Sequence, residues 1–72
     1  MKYAILIEKT NNGCSAYAPD LPGCIAATDT RAEVEELIRE AIVLHLESLR
    51  EHGEPIPEPQ TTATLVEVQL AG

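Results

Sequence analysis

Pro19 and Pro22 bracket the segment Ala18-Pro19-Asp20-Leu21-Pro22-Gly23-Cys24, which suits it to a stiff reversal of the chain between two short apolar runs. Neither proline can donate to a sheet ladder, Asp20 can bond nearby backbone, and Gly23 tolerates dihedrals that other residues avoid. The flanking runs, Cys14 to Ala18 and Cys24 to Thr28, therefore read as two strands. Upstream, Lys2 to Glu8 alternates weakly and is rich in Ile, Leu and Tyr. Thr10-Asn11-Asn12-Gly13 follows with the Asn-Gly pair of a hairpin turn, which tolerates positive φ. Three strands in succession are expected.

A helix follows at once. Thr30-Arg31-Ala32-Glu33 fits a capping box, in which the Thr30 side chain accepts a backbone N–H and Glu33 reaches back to the N–H of Thr30. Glu35 and Glu36 add negative charge near the positive end of the helix dipole. Gly53, with Pro55 beyond it, sets the stop near His52. At 100° per residue, Val34, Leu37, Ile38, Ala41, Ile42, Leu44, His45 and Leu49 share one broad face, which is expected to pack on the sheet. Val43 and Leu46 fall outside it, on a flank with Arg39, Glu40, Glu47 and Arg50. Glu40, Val43, Leu46 and Glu47 are accordingly the candidate protein interface.

Gly53 to Gln60 contains three prolines and reads as an extended linker. Thr61 to Leu70 alternates, with Thr64, Val66, Val68 and Leu70 on one side and Leu65, Glu67 and Gln69 on the other, as a half-buried strand should. The expected order is βββαβ: an α+β two-layer sandwich with one helix packed on a four-stranded mixed sheet, forming one domain over residues 1–72. The sheet face away from the helix has nothing to cover it. If the helix packs on the face holding Ile5 and Ile7, then Ala4, Leu6 and Leu65 lie on the open side, or the reverse.

Composition narrows function further. A domain of 72 residues buries only about 60% of the surface its unfolded chain exposes, so support from self-association is expected. With no Phe or Trp and two Tyr, the core is aliphatic and supplies little to wall a deep pocket. Twelve acidic residues against five basic ones give a net charge of -7, which repels phosphate backbones and argues against direct nucleic-acid binding. No apolar run approaches the ~20 residues of a membrane span, and the N-terminus lacks a secretion signal. A cytoplasmic chain is expected. Cys14 and Cys24 then read as free thiols, placed too far apart for a disulfide if Ala18 faces Gly23.

The chemistry-bearing residues assemble into no active site, and no catalytic residue, cofactor or metal is expected. His45 and His52 lie seven residues apart, about 10.5 Å along a helix, too far to chelate one metal unaided. His45 sits on the apolar face, and His52 suits the negative end of the helix dipole. The helix glutamates mark a solvated face rather than a cavity that would shift their pKa values. Asp20 and Asp29 are explained by bonding within turns, and Cys24 lacks a His or Asn partner for nucleophilic work.

Tyr3, Gly13, Tyr17, the run Pro19-Asp20-Leu21-Pro22-Gly23-Cys24, Thr30, Glu33, Glu40-Ala41 and Gly53-Glu54-Pro55-Ile56-Pro57 together resemble the HicB-like antitoxin family over residues 3 to 57. The resemblance implies a partial RNase H-like fold with strand order 3-2-1-4 and without a nuclease's catalytic carboxylates. It also implies the antitoxin half of a type II toxin-antitoxin pair, binding a small basic ribonuclease toxin of the HicA type that cleaves mRNA, and homodimers or higher assemblies. An acidic surface suits a basic toxin. Cys14 stands where the family usually has an aromatic, and Thr28 where glycine is common. Longer relatives carry a C-terminal helix-turn-helix or ribbon-helix-helix module; the sequence ends at Gly72, so operator binding is not carried over. The alternative is a stand-alone homo-oligomeric binding domain with no toxin partner. On either reading the Pro19 to Cys24 turn is architectural.

Overall fold

The computed structural model describes residues 1–71. Its elements follow in the order β1 (Leu6–Lys9), β2 (Cys14–Tyr17), β3 (Ile25–Thr28) and α1 (Arg31–Glu51). The strands form one antiparallel sheet in the order β1-β2-β3, with Ile7 opposite Ala16 and Ala16 opposite Ala26. The helix packs over β3 and β2, giving an α+β fold of two layers.

The expected four-stranded mixed sheet is replaced by three antiparallel strands. Thr61 to Leu70 has the alternation of a strand but no neighbouring strand to bond to, and all ten of its residues are exposed. Alternation sets which side chains share a face; a strand also needs a ladder partner, and this segment has none among the described residues.

Both turns are built differently from the sequence expectation. In the β1–β2 hairpin the N–H of Thr10 donates to the carbonyl of Gly13 at 2.8 Å, and neither Asn12 nor Gly13 adopts positive φ. Gly13 is instead required by proximity: a Cβ there would lie 2.2 Å from the carbonyl oxygen of Thr28 and 2.9 Å from Cα of Asp29. The β2–β3 turn is closed by Ala18 N–H to the Cys24 carbonyl, Leu21 N–H to the Ala18 carbonyl and Cys24 N–H to the Leu21 carbonyl. That register pairs Ala18 with Cys24, one residue on from the expected Gly23, sets Cys14 opposite Thr28 and leaves both cysteines free. Leu21 is drawn wholly into the core beside Ala16, Ala18, Cys24, Ala26, Val34 and Ile38. Alanines at the sheet positions let the helix approach closely, so the large side chains of the core come from the helix and from the turn.

The helix ends follow from their caps. Thr30 accepts the N–H of Glu33 at 3.2 Å, while its own hydroxyl donates to Glu33 Oε1 at 2.8 Å, so the glutamate closes the box on the hydroxyl rather than on the backbone N–H. At the other end Gly53 has φ 69°, its N–H donates to the Arg50 carbonyl and the N–H of Glu54 to that of Leu49, the paired bonds of a Schellman motif. His52 Nδ1 donates to the Ser48 carbonyl at 2.7 Å, a second bond to an oxygen that also accepts the His52 backbone N–H at 3.1 Å.

The buried stripe of α1 differs from the helical-wheel face. Val34 and Ile38 are fully buried; Leu37 and Leu44 are exposed, and Leu46 packs partly buried against the core. Length explains the difference. The 21-residue helix is about 31 Å long, whereas four-residue strands span about 13 Å, so the C-terminal half of α1 overhangs the sheet. There Leu46 lines a crevice with Met1, Val43, Glu47, Arg50 and Ile56 instead of meeting a strand.

Candidate protein-binding surface

Two surfaces on opposite layers of the fold present apolar groups among charges. Along one flank of α1, Glu36, Glu40, Val43, Glu47 and Glu51 follow one another at spacings of three and four, with Val43 bordering the groove of Ile5 and Ile7. All five are exposed. The two cations near its start are engaged: Arg31 Nε lies 3.0 Å from Glu35, and Arg39 Nη1 lies 3.3 Å from Glu36. These pairs are solvent-exposed and add little stability. Glu40 and Glu47 have no ion-pair partner among the described residues, so negative charge concentrates around Val43.

Of the candidate interface residues, Glu40, Val43 and Glu47 are thus brought together and exposed. Leu46 is partly buried and borders the same surface, lining with Val43 and Glu47 the crevice that Met1 and Ile56 close.

The second surface is the open face of the sheet. Ile5 and Ile7 pack on the helix side, and this parity sends Leu6 to the opposite face, where it stands beside Tyr17, itself paired with Ile25. The three form an apolar row across all three strands, and Ile25 is 71% exposed. The sequence leaves the parity of β1 open and gives Ile25 no polar neighbour to mark it as outward-facing, so the register alone reveals the row.

Asp20 performs a task that sequence reasoning gave to its own turn. Its Oδ2 accepts the backbone N–H groups of Gln60 and Thr61, each at 2.9 Å, and its Oδ1 accepts the Thr61 hydroxyl at 2.7 Å. Forty residues apart in sequence, the turn and the end of the proline-rich linker are thereby clamped together. The Tyr3 hydroxyl makes a second tie by donating to the Pro57 carbonyl.

The Thr61 backbone N–H, the Thr61 hydroxyl and the Gln60 N–H hold the Asp20 carboxyl below its ordinary pKa. A lowered folded-state pKa means that the clamp is at full strength above the ordinary aspartate value of about 3.9 and is lost as the pH falls through the lower folded value. The Thr61 amide resonance is expected to titrate with a midpoint below that of a free aspartate, and Asp20→Ala to abolish the transition. A midpoint at the free value would show that the clamp does not hold in solution.

Cys24 is buried and its thiol is pushed up in pKa by desolvation, the opposite of an activated nucleophile. Among the described residues no three His, Cys, Asp or Glu side chains cluster as metal ligands, and no helix is long and apolar enough to cross a membrane.

Residues 3–69 match the family described as HicB_like antitoxin of bacterial toxin-antitoxin system. The chain is 43% identical over 58 residues to a 14.9 kDa protein of Haemophilus phage HP1, covering 81% of this chain and 44% of that protein. It therefore spans less than half the length of the phage relative. It is 41% identical over 58 residues to a UPF0150 protein of Thermoplasma acidophilum, covering 79% of this chain and 84% of the other. Among solved structures it resembles a chain of the HicA3 and HicB3 toxin-antitoxin complex, with TM-score 0.70 and 38% identity over 83% of this chain and 70% of that one. A crystal structure of antitoxin HicB3 is similar at TM-score 0.69 and 38% identity, covering 83% of this chain and 44% of that one.

Proposed function

The chain belongs to the HicB-like antitoxin family, a family of non-enzymatic neutralising proteins, and on that premise we propose that it binds and silences a small basic ribonuclease toxin of the HicA type. The likeness to HicB3 from a complex with HicA3 carries the reading. Neutralisation then needs no chemistry from this chain. It needs a surface that finds a basic protein quickly and covers it, and the acidic stripe around Val43 supplies that surface. Complementary charge accelerates encounter, while an apolar centre slows release. Because such a toxin cleaves mRNA, the encounter belongs in the cytoplasm. The reading treats residues 1–72 as one domain, with its last segment available to a second copy of the chain as a further partner.

Co-expression with a HicA-type toxin encoded beside it tests the reading. Relief of growth arrest and a stable complex are expected. The charge reversal Glu40→Lys with Glu47→Lys should cut the association rate at least tenfold at low salt and leave the difference much smaller at high salt. Persistent arrest with no complex would remove the antitoxin role. Should the reversal have no effect while Tyr17→Ala with Ile25→Ala abolishes the complex, the toxin docks on the open sheet face instead, which the exposed Tyr17 and Ile25 beside half-buried Leu6 favour as the second reading.

A further inference from the structure

We infer that Thr61 to Leu70 forms the fourth strand of the sheet in a second copy of this chain, lying along the free edge of β1, and that the exchange is reciprocal. The inference deepens the self-association proposed above and rests on it.

The segment is built as a strand and has nothing to pair with. Leu65 and Leu70 are 101% and 94% exposed, and Val66 and Val68 are 76% and 73% exposed. Side chains of this kind gain about 1.5–3 kcal/mol each on full burial, so a chain that leaves four of them in water lacks a partner. Shape agrees. The radius of gyration is 14.7 Å, against about 11 Å for a compact chain of this length, and the molecule measures 56 × 27 × 16 Å. The excess length matches a ten-residue extended segment, about 33 Å long, standing off the body.

A matching gap exists on the body. β1 is an edge strand, and its helix-facing side is left uncovered because α1 sits over β2 and β3. Ile5 and Ile7 therefore line an open groove with Ile42 of the helix. A strand added along β1 would turn Val66, Val68 and Leu70 toward that groove and Glu67 and Gln69 toward solvent, the parity that alternation demands. The β1 edge is chosen over the β3 edge because the tail already leaves the clamp on that side, with Ala63, Thr64 and Leu65 flanking Leu6, Ile7 and Lys9 across a cleft.

Occupation by a second copy follows from counting. Every chain supplies one unpaired strand and a free β1 edge flanked by an apolar groove, so two chains related by a twofold axis satisfy each other at that edge and close the exchange, leaving β3 as the outer edge of each sheet. A different protein seated on the β1 edge would leave the tail bare. The Asp20 clamp fixes where the tail departs, and residues 62–71 donate to and accept from no strand among the described residues.

Full-length protein is the material for the test. Light scattering is expected to give twice the 7.8 kDa chain mass. The double variant Val66→Asp with Val68→Asp should give the single-chain mass with an unchanged far-UV circular dichroism spectrum from the helix, since both residues are exposed in the isolated chain. In a mixture of differently isotope-labelled copies, nuclear Overhauser contacts between β1 amides and residues 64–70 should arise between chains. A wild-type monomer at millimolar concentration would overturn self-association and the exchange with it. A dimer that survives the double variant, or β1 contacts found only within one chain, would overturn the exchange and leave self-association standing.

Discussion

Replacing Leu21 by alanine is expected to cost about 2–5 kcal/mol, because the side chain is completely buried and the alanines around it cannot collapse into the cavity. Domains of this size carry about 4–11 kcal/mol in total, so the loss removes a large share of the stability. Urea unfolding reads it as a lower midpoint with an unchanged slope. Leu44→Ala serves as the control: it deletes the same atoms from a side chain that is 66% exposed, and should move the midpoint by no more than the equivalent of about 0.5 kcal/mol. Equal effects at the two positions would contradict the placement of Leu21 at the centre of the core.

Gly13→Ala is expected to destabilise by about 1–3 kcal/mol, the usual cost of forcing atoms into occupied space. The new Cβ would meet the Thr28 carbonyl oxygen at 2.2 Å, and the obstacle is backbone, which cannot rotate aside as a side chain would. Each kcal/mol corresponds to roughly 4–8 °C of melting temperature in a domain of 60–100 residues, so thermal unfolding resolves the effect. Gly23→Ala separates the two ways a glycine can matter. Gly23 has φ 84° and open space around it, so its cost is backbone strain without collision. If Gly13→Ala melts no lower than the parent, the hairpin does not press on the end of β3 as described.

Local chemistry was legible where the relevant atoms are close in sequence. Thr30 and Glu33 lie one turn apart, so the capping contact is written in four residues, and only the atom that Glu33 reaches differed from expectation. Gly53 and the prolines after it ended the helix within a residue of the expected stop. The candidate surface was legible in part. Glu40, Val43 and Glu47 follow from helical spacing, whereas the partial burial of Leu46 depends on the helix outrunning the sheet, a comparison of two lengths that neither segment carries by itself. Asp20 reads as a turn residue in the sequence because its partners, Gln60 and Thr61, lie about forty positions away.

The sequence by itself determined the strand-rich first half, the reversals, the capped helix and the acidic charge, because each depends on propensity, spacing or composition within a few residues. Tertiary structure alone decided which face of β1 meets the helix, that Gly13 must be small, that Asp20 clamps the linker, and that Thr61 to Leu70 stands unpaired. The physical reason is the same in each case. Alternation and capping are properties of one segment, but burial, collision and ladder pairing are properties of two, and they are settled only when the second segment is in place.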